Sequence, residues 1–187
     1  MWITEKIHGS NWRAVYSSAD DAIFVGSHHR WIKGIETLRP ANRWQAFLQW
    51  IGWQKPVIRE NNSVWWRAYR KYPEIEAFLR VNPDVAVFGE VYGDVQELKY
   101  GHKPGEVSLT VFNTYDRGYY STAISAMLCV CAVPVIFAGG YSDATVRSHI
   151  SGKSLIPGAD HIREGIVIYG MRGQRLKAVS DAYLEKA

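Results

Sequence analysis

A chain of 187 residues with 47% apolar and 13% aromatic side chains has ample material for one hydrophobic core, so a single domain is expected. No apolar run is long enough to cross a bilayer as a helix, and the opening MWITEKIHGSN lacks the apolar stretch of a secretory leader, which points to an intracellular, cytoplasmic protein with no membrane partner. The formal charge of +4, from 22 Lys+Arg against 18 Asp+Glu, admits a polyphosphate or nucleic-acid partner without requiring one.

Residues 1–26 read as short strands, WITEKI, WRAVYS and AIFVGS, separated by polar turns around Gly9-Ser10-Asn11 and from Ser17 to Asp21. NRWQAFLQWIGW at 42–53 sets Trp44, Phe47, Leu48 and Ile51 at the i, i+3, i+4, i+7 spacing of an amphipathic helix. A second helical block spans 63–80, with Pro73 opening its last part and Asn82-Pro83 closing it. Trp44, Trp50, Trp53, Trp65 and Trp66 fall in this helical stretch, where core packing explains them better than base stacking.

Beyond it the period changes. VAVFGEVYG at 85–93 and VSLTVFNTYD at 107–116 are strands, followed by a helix over 119–130, a strand at 133–137 and a helix over 142–150 that stops at Ser151-Gly152. EGIVIYG at 164–170 and QRLKAV at 174–179 are the last strands, ahead of a short terminal helix. Cys129 and Cys131 are too close for an ordinary disulfide and lie in an apolar run, so they read as buried thiols. Strands on both sides of a helical middle, without regular βα alternation, imply an α+β fold with mainly antiparallel sheets and packed helices.

The chemistry-bearing residues sit on or beside strands. Lys6 closes a strand, and Gly9 soon after it lets the backbone turn close to a ligand. A lysine nucleophile must lose its proton, which nearby cations or desolvation assist. Strand alternation puts Phe88, Glu90 and Tyr92 on one face, and Phe112 lies inside another strand. Glu164 precedes an apolar strand, and Arg175 and Lys177 share a face with Leu176 opposite. His28 and His29 are adjacent and would point opposite ways on a strand, so a solvated or packed role is expected. SGKS at 151–154 lacks the earlier glycine and leading strand of a phosphate-binding loop.

The ordered set KIHGSN, FGEVYG, VFNTYD, EGIVIYG and RLK resembles motifs I, III, IIIa, IV and V of the covalent nucleotidyltransferases, the ATP-dependent ligases and mRNA capping enzymes. KIHG with a following asparagine, and the stretch from EVYG through LKYG, resemble the RNA ligase 2-type RNA ligases; the resemblance runs from Thr4 to Leu184. It implies an antiparallel-sheet, ATP-grasp-like core with packed helices, a single adenylyltransferase domain over 1–187 without a C-terminal accessory domain. Lys6 would attack the α-phosphorus of ATP, AMP would pass to a 5′-phosphate, and a 3′-hydroxyl would seal the strand. The implied cofactors are ATP and Mg2+ (or Mn2+), and the implied partner is RNA with 5′-phosphate and 3′-hydroxyl ends, bound by a monomer.

By the same resemblance Arg175 and Lys177 would contact the α-phosphate, with Arg175 where the family usually has lysine. Glu164 would hold or orient the metal, Glu90 the ribose hydroxyls, and Phe112 would stack on adenine. Asn11 would assist near the α-phosphate or its metal, Glu5 and Ile7 would line the adenine pocket, and Arg30, with Lys33 as second choice, matches the arginine that follows motif I. Asn113 stands where related sequences often have Asp. Family members carry flanking segments on both sides of this core, so a truncated chain, a small phage-type enzyme and a partner-completed fragment all fit. The alternatives are a DNA ligase or GTP-using capping core, and a binding module that keeps the fold without the chemistry.

Overall fold

The computed structural model describes residues 1–121, 128, 131–171 and 173–185. Strands β1 (Trp2–Lys6), β10 (Val135–Ala138), β11 (Gly165–Tyr169) and β12 (Arg175–Val179) form a sheet in the order β10-β1-β11-β12. Strands β2 (Ser10–Ser17), β3 (Ala22–Gly26), β4 (Trp31–Ile32), β7 (Ala86–Gly93), β8 (Val107–Asp116) and β9 (Tyr119–Ser121) form a larger one in the order β4-β3-β2-β7-β8-β9. A separate two-stranded ribbon pairs β5 (Ile35–Thr37) with β6 (Ile58–Glu60). The helices are α1 (Arg43–Trp50), α2 (Val64–Lys71), α3 (Pro73–Val81), α4 (Asp143–Ile150) and α5 (Asp181–Leu184). Every pairing between these strands is antiparallel, so the mixed helix and antiparallel-sheet class expected from the sequence is the one observed.

The period of two sorts each strand into a core face and a cavity face. On the larger sheet, Trp12, Ala14, Val87, Val91, Leu109 and Val111 are buried beneath Ala68, Tyr69, Ile75, Phe78 and Leu79 of α2 and α3. Each fully buried Leu, Ile or Val contributes about 1.5–3 kcal/mol, so this layer anchors the domain. On the smaller sheet, Ile3, Ile166 and Ile168 pack beneath Val146 and Ile150 of α4. The alternate residues, Asn11, Phe88 and Glu90 on one sheet and Thr4, Val167 and Tyr169 on the other, line a cavity that the sheets share.

The helical block expected over 63–80 is two helices, divided at Pro73. Pro73 has no N–H to continue the first and sits at the opening position of α3, where none is needed. Trp65 and Trp66 of α2 are partly buried against the core, and their indole N–H groups donate to the Asn11 and Ile32 carbonyls at 3.0 and 2.9 Å. The other three tryptophans contradict the packing expectation: Trp44, Trp50 and Trp53 are 66%, 82% and 83% exposed. The periodicity of α1 is real, but none of its residues is buried against the described part of the chain. Its local supports are the Asn42 side chain accepting from Gln45 N–H at 2.8 Å and the closing Ile51 N–H to Phe47 carbonyl bond. Of the helix expected over 119–130, residues 119–121 form β9 instead, and 122–127 and 129–130 lie outside the described residues. Cys131 is buried as expected, donating to the Leu128 carbonyl; Cys129 is outside the described residues.

Glu5 is a buried carboxylate, 1% exposed. It accepts from Ser154 Oγ and from Leu155 N–H, both at 2.6 Å, tying β1 to the segment that follows α4. Removing it would leave both donors buried without an acceptor. Glu5→Ala is therefore expected to destabilise the domain by about 2–4 kcal/mol in urea or thermal unfolding; a variant within about 0.5 kcal/mol of the parent would show that the two hydrogen bonds do not hold this junction.

Candidate active site

Register places the central pair. β1 and β11 run antiparallel with Lys6 opposite Gly165, so Glu164 emerges one residue from the lysine's cross-strand neighbour. Lys6 Nζ lies 2.5 Å from Glu164 Oε1, with both side chains mostly buried. Past Lys6 the chain turns through Gly9 against β7. A Cβ there would drive into the Val91 carbonyl and press on Glu90 Cγ at 3.0 Å, so only glycine lets β2 start this close to Glu90.

The shared cavity has a volume of about 590 Å³, in the range of small-molecule sites. Glu5, Lys6, Ile7, Asn11, Glu90, Phe112, Arg175 and Lys177 line it beside Thr4, so eight of the site residues singled out from sequence converge there; Glu164 joins them through its contact with Lys6. Glu5 reaches the cavity with its carboxylate already engaged by Ser154 and Leu155. Arg30 is not among the lining residues. It is exposed in the turn between β3 and β4, where its carbonyl accepts from Ser27 N–H at 3.0 Å, and Lys33 is exposed beyond it.

A bulge explains how two neighbours on β8 serve one cavity. Phe88 pairs with Asn113 and Gly89 with Val111, leaving Phe112 as the extra residue. A regular strand would send Phe112 and Asn113 to opposite faces, whereas the bulge lets both line the cavity. Asn113 is 1% exposed, and neither atom of its side-chain amide has a partner; Asn11 Oδ1 and Glu164 Oε2 are likewise buried without a hydrogen bond. Buried polar atoms left unpaired are costly unless a ligand or water completes them.

Residues that the sequence reading did not place also shape the site. His28 lines the cavity from the β3–β4 turn, with His29 edge-on to it at 5.0 Å, so it is on a loop rather than the strand that alternation assumed. Arg175 is held between the Tyr120 and Tyr169 rings, 5.7 and 5.4 Å from their centroids, which fixes its planar fork over the opening. His8 links outward: Nε2 is 2.6 Å from Glu97, Nδ1 lies 3.3 Å from Glu164 Oε2, and its backbone N–H donates to Tyr100 Oη at 2.8 Å. His8 stands in KIHG itself; its partner Glu97 is on the β7–β8 connection, which only the fold brings near.

Burial pushes the Glu90 carboxyl up to about 7, against the pull of Lys6 and Lys177 and with the charge on Glu164 adding to the rise. Among the described residues no three His, Cys, Asp or Glu side chains are grouped to hold a metal. A hard divalent cation that keeps its waters and takes one or two carboxylates plus substrate phosphates needs no such cage, and Glu164 Oε2, buried without a hydrogen bond beside His8 Nδ1, fits that role. The lysine–glutamate pair, two further cations and an aromatic ring suit a phosphorylated ligand that carries a flat ring.

A family model described as RNA ligase matches residues 1–179, and the chain belongs to that family. Solved structures of like fold include Naegleria gruberi RNA ligase with PPi, at TM-score 0.69 and 23% identity over 99% of this chain and 50% of that one. Two variants of the same Naegleria enzyme, one with ATP and Mn and one with AMP and Mn, each match at TM-score 0.70 and 22% identity over 100% of this chain and 51% of theirs. The chain thus spans about half the length of these structures. Comparison with curated proteins finds no match.

The raised Glu90 carboxyl has a stability consequence. Its folded value exceeds its unfolded one, so the folded state holds the proton longer. The neutral acid's contribution is complete below the unfolded value and is lost as pH rises through about 7. Glu90→Gln is expected to stabilise the ligand-free protein by roughly 1–3 kcal/mol at pH 8 and by little at pH 4. Urea unfolding at the two values checks this, and equal effects at both would contradict it.

Proposed function

We propose that the chain is the adenylylating core of an ATP-dependent RNA ligase of the RNA ligase 2 type, with the ATP-grasp-like architecture of the covalent nucleotidyltransferases. The observation that carries this reading is Lys6 against Glu164 in a cavity also lined by Arg175 and Lys177. Family membership and the like-folded Naegleria structures with ATP, AMP and Mn support it.

In this reading Lys6 Nζ, as the free amine, attacks the α-phosphorus of ATP; the bond to the β-phosphate oxygen breaks, pyrophosphate leaves, and AMP remains on the lysine through a P–N bond. A 5′-phosphate oxygen of RNA then displaces the lysine and takes the AMP. Attack by a 3′-hydroxyl on that activated 5′-phosphate finally releases AMP and forms the phosphodiester. Glu164 holds the lysine in place while it is an ammonium, and must release it for the amine to act. Glu164 would hold Mg2+ or Mn2+, which would supply charge neutralisation on the phosphates.

Lys177 and Arg175 stabilise charge that builds on the α-phosphoryl oxygens. Phe112 stacks on adenine, Ile7 and the backbone beside Glu5 complete its pocket, and Asn11 reaches the α-phosphate or its metal. Glu90 accepts from the ribose hydroxyls, a role best served by its ionised form above pH 7. Arg30 enters this scheme only if the β3–β4 turn reorients when nucleotide binds.

Incubation with α-labelled ATP or GTP and Mg2+ or Mn2+, followed by denaturing electrophoresis, tests the first step. An AMP adduct on the parent, none on Lys6→Ala, and a rate at least about 100-fold lower for Lys177→Ala are expected. A GMP adduct would transfer the chain to capping chemistry, and no adduct with either nucleotide would refute the enzyme reading.

A further inference from the structure

The α1 face carries aromatic rings that the fold does not use. Trp44 and Phe47 stack at 5.6 Å with 28° between their planes, and Phe47 and Trp50 follow at 6.2 Å and 39°. Positions 44, 47 and 50 recur every third residue, so the rings form a row along one side of the helix, and Trp53, three residues past the helix end, is 83% exposed. An exposed apolar patch of this kind marks an interaction site rather than a scatter of surface residues.

Charge identifies the occupant. From Thr37 to Arg59 the sequence holds Arg39, Arg43, Lys55 and Arg59 and no acid. Arg59 is paired with Glu36, while Arg39, Arg43 and Lys55 are exposed and make no ion pair among the described residues. Flat rings for stacking, interleaved with cations of one sign, form the platform on which single-stranded nucleic acid is held. A second copy of the chain would set these cations against their own kind.

The ribbon fixes the platform to the body. Asn61 N–H donates to the Gly34 carbonyl at 2.8 Å, and its side-chain amide donates to Glu36 Oε1 at 2.7 Å. The chain enters the ribbon from β4, the edge strand of the larger sheet, and the turn before β4 carries His28 to the cavity. We propose that the α1 face binds single-stranded RNA, with bases stacked on Trp44, Trp50 and Trp53 and phosphates on Arg39, Arg43 and Lys55. The choice of RNA over DNA rests on the ligase reading; the surface itself does not.

Fluorescence anisotropy with a labelled single-stranded RNA of about 12 nucleotides, a length within the site size of such platforms, tests it. Trp50→Ala with Trp53→Ala is expected to weaken binding at least about tenfold, and Trp50→Phe with Trp53→Phe to stay within about threefold of the parent because the rings remain. Arg43→Gln with Lys55→Gln should flatten the slope of log K against log salt by about 1.4, two released counterions on a single strand. All three pairs, checked by circular dichroism, should form the Lys6 adduct at the parental rate. Parental RNA affinity in the alanine pair would overturn the proposal. So would loss of self-association in sedimentation with RNA affinity intact, which would make the face an interface between copies. Absence of any adduct in the parent would refute the ligase reading while leaving the anisotropy result to decide the surface.

Discussion

Antiparallel register between β1 and β11 sets Lys6 opposite Gly165, and the cleft is organised about the ion pair that follows from it. Gly165 is itself constrained: a Cβ there would collide with the Ala178 carbonyl of β12, so close packing of the third strand depends on its absence. That same approach brings Arg175 and Lys177 alongside, since β12 pairs with β11 from Gly165 to Tyr169. A shift of one residue in either pairing would turn Lys6 or the two β12 cations away from the cavity. The Glu5 hydrogen bonds and the three isoleucines under α4 hold that register.

Opposite charges in the cleft are balanced in a way that a ligand would disturb. Lys6, Arg175 and Lys177 face Glu90 and Glu164, and burial has already driven Glu90 towards its neutral form. A polyphosphate would bring negative charge to the cations and compete with Glu164 for Lys6; a divalent cation held by Glu164 would work in the same direction. The unpaired amide of Asn113 and the carbonyl oxygen of the Asn11 side chain give the opposite wall hydrogen-bonding capacity with no protein partner.

Much of this was legible in the sequence because it depends on short-range rules. Strand alternation correctly put Phe88 with Glu90 and Arg175 with Lys177, and Pro73 marked a break between helices. The failures have physical causes. The bulge at Phe112 breaks the period of two, so alternation could not place Phe112 and Asn113 on one wall. Helical periodicity in 42–53 correctly gave α1 but could not show that none of its residues is buried by the described chain, and Trp44, Trp50 and Trp53, expected in the core, are on the surface. His28 lies on a turn, where strand alternation does not apply, and the contact from His8 to Glu97 spans 89 positions that no local pattern connects.

The account stands or falls on Lys6 as the atom that takes the nucleotide. The most direct measurement is tandem mass spectrometry of peptides from protein incubated with ATP and a divalent cation, locating the added AMP by residue. AMP on the side chain of Lys6, in an acid-labile linkage typical of a P–N bond, is the result expected. AMP on another residue, or unmodified Lys6 in folded protein shown to bind ATP, would contradict the account.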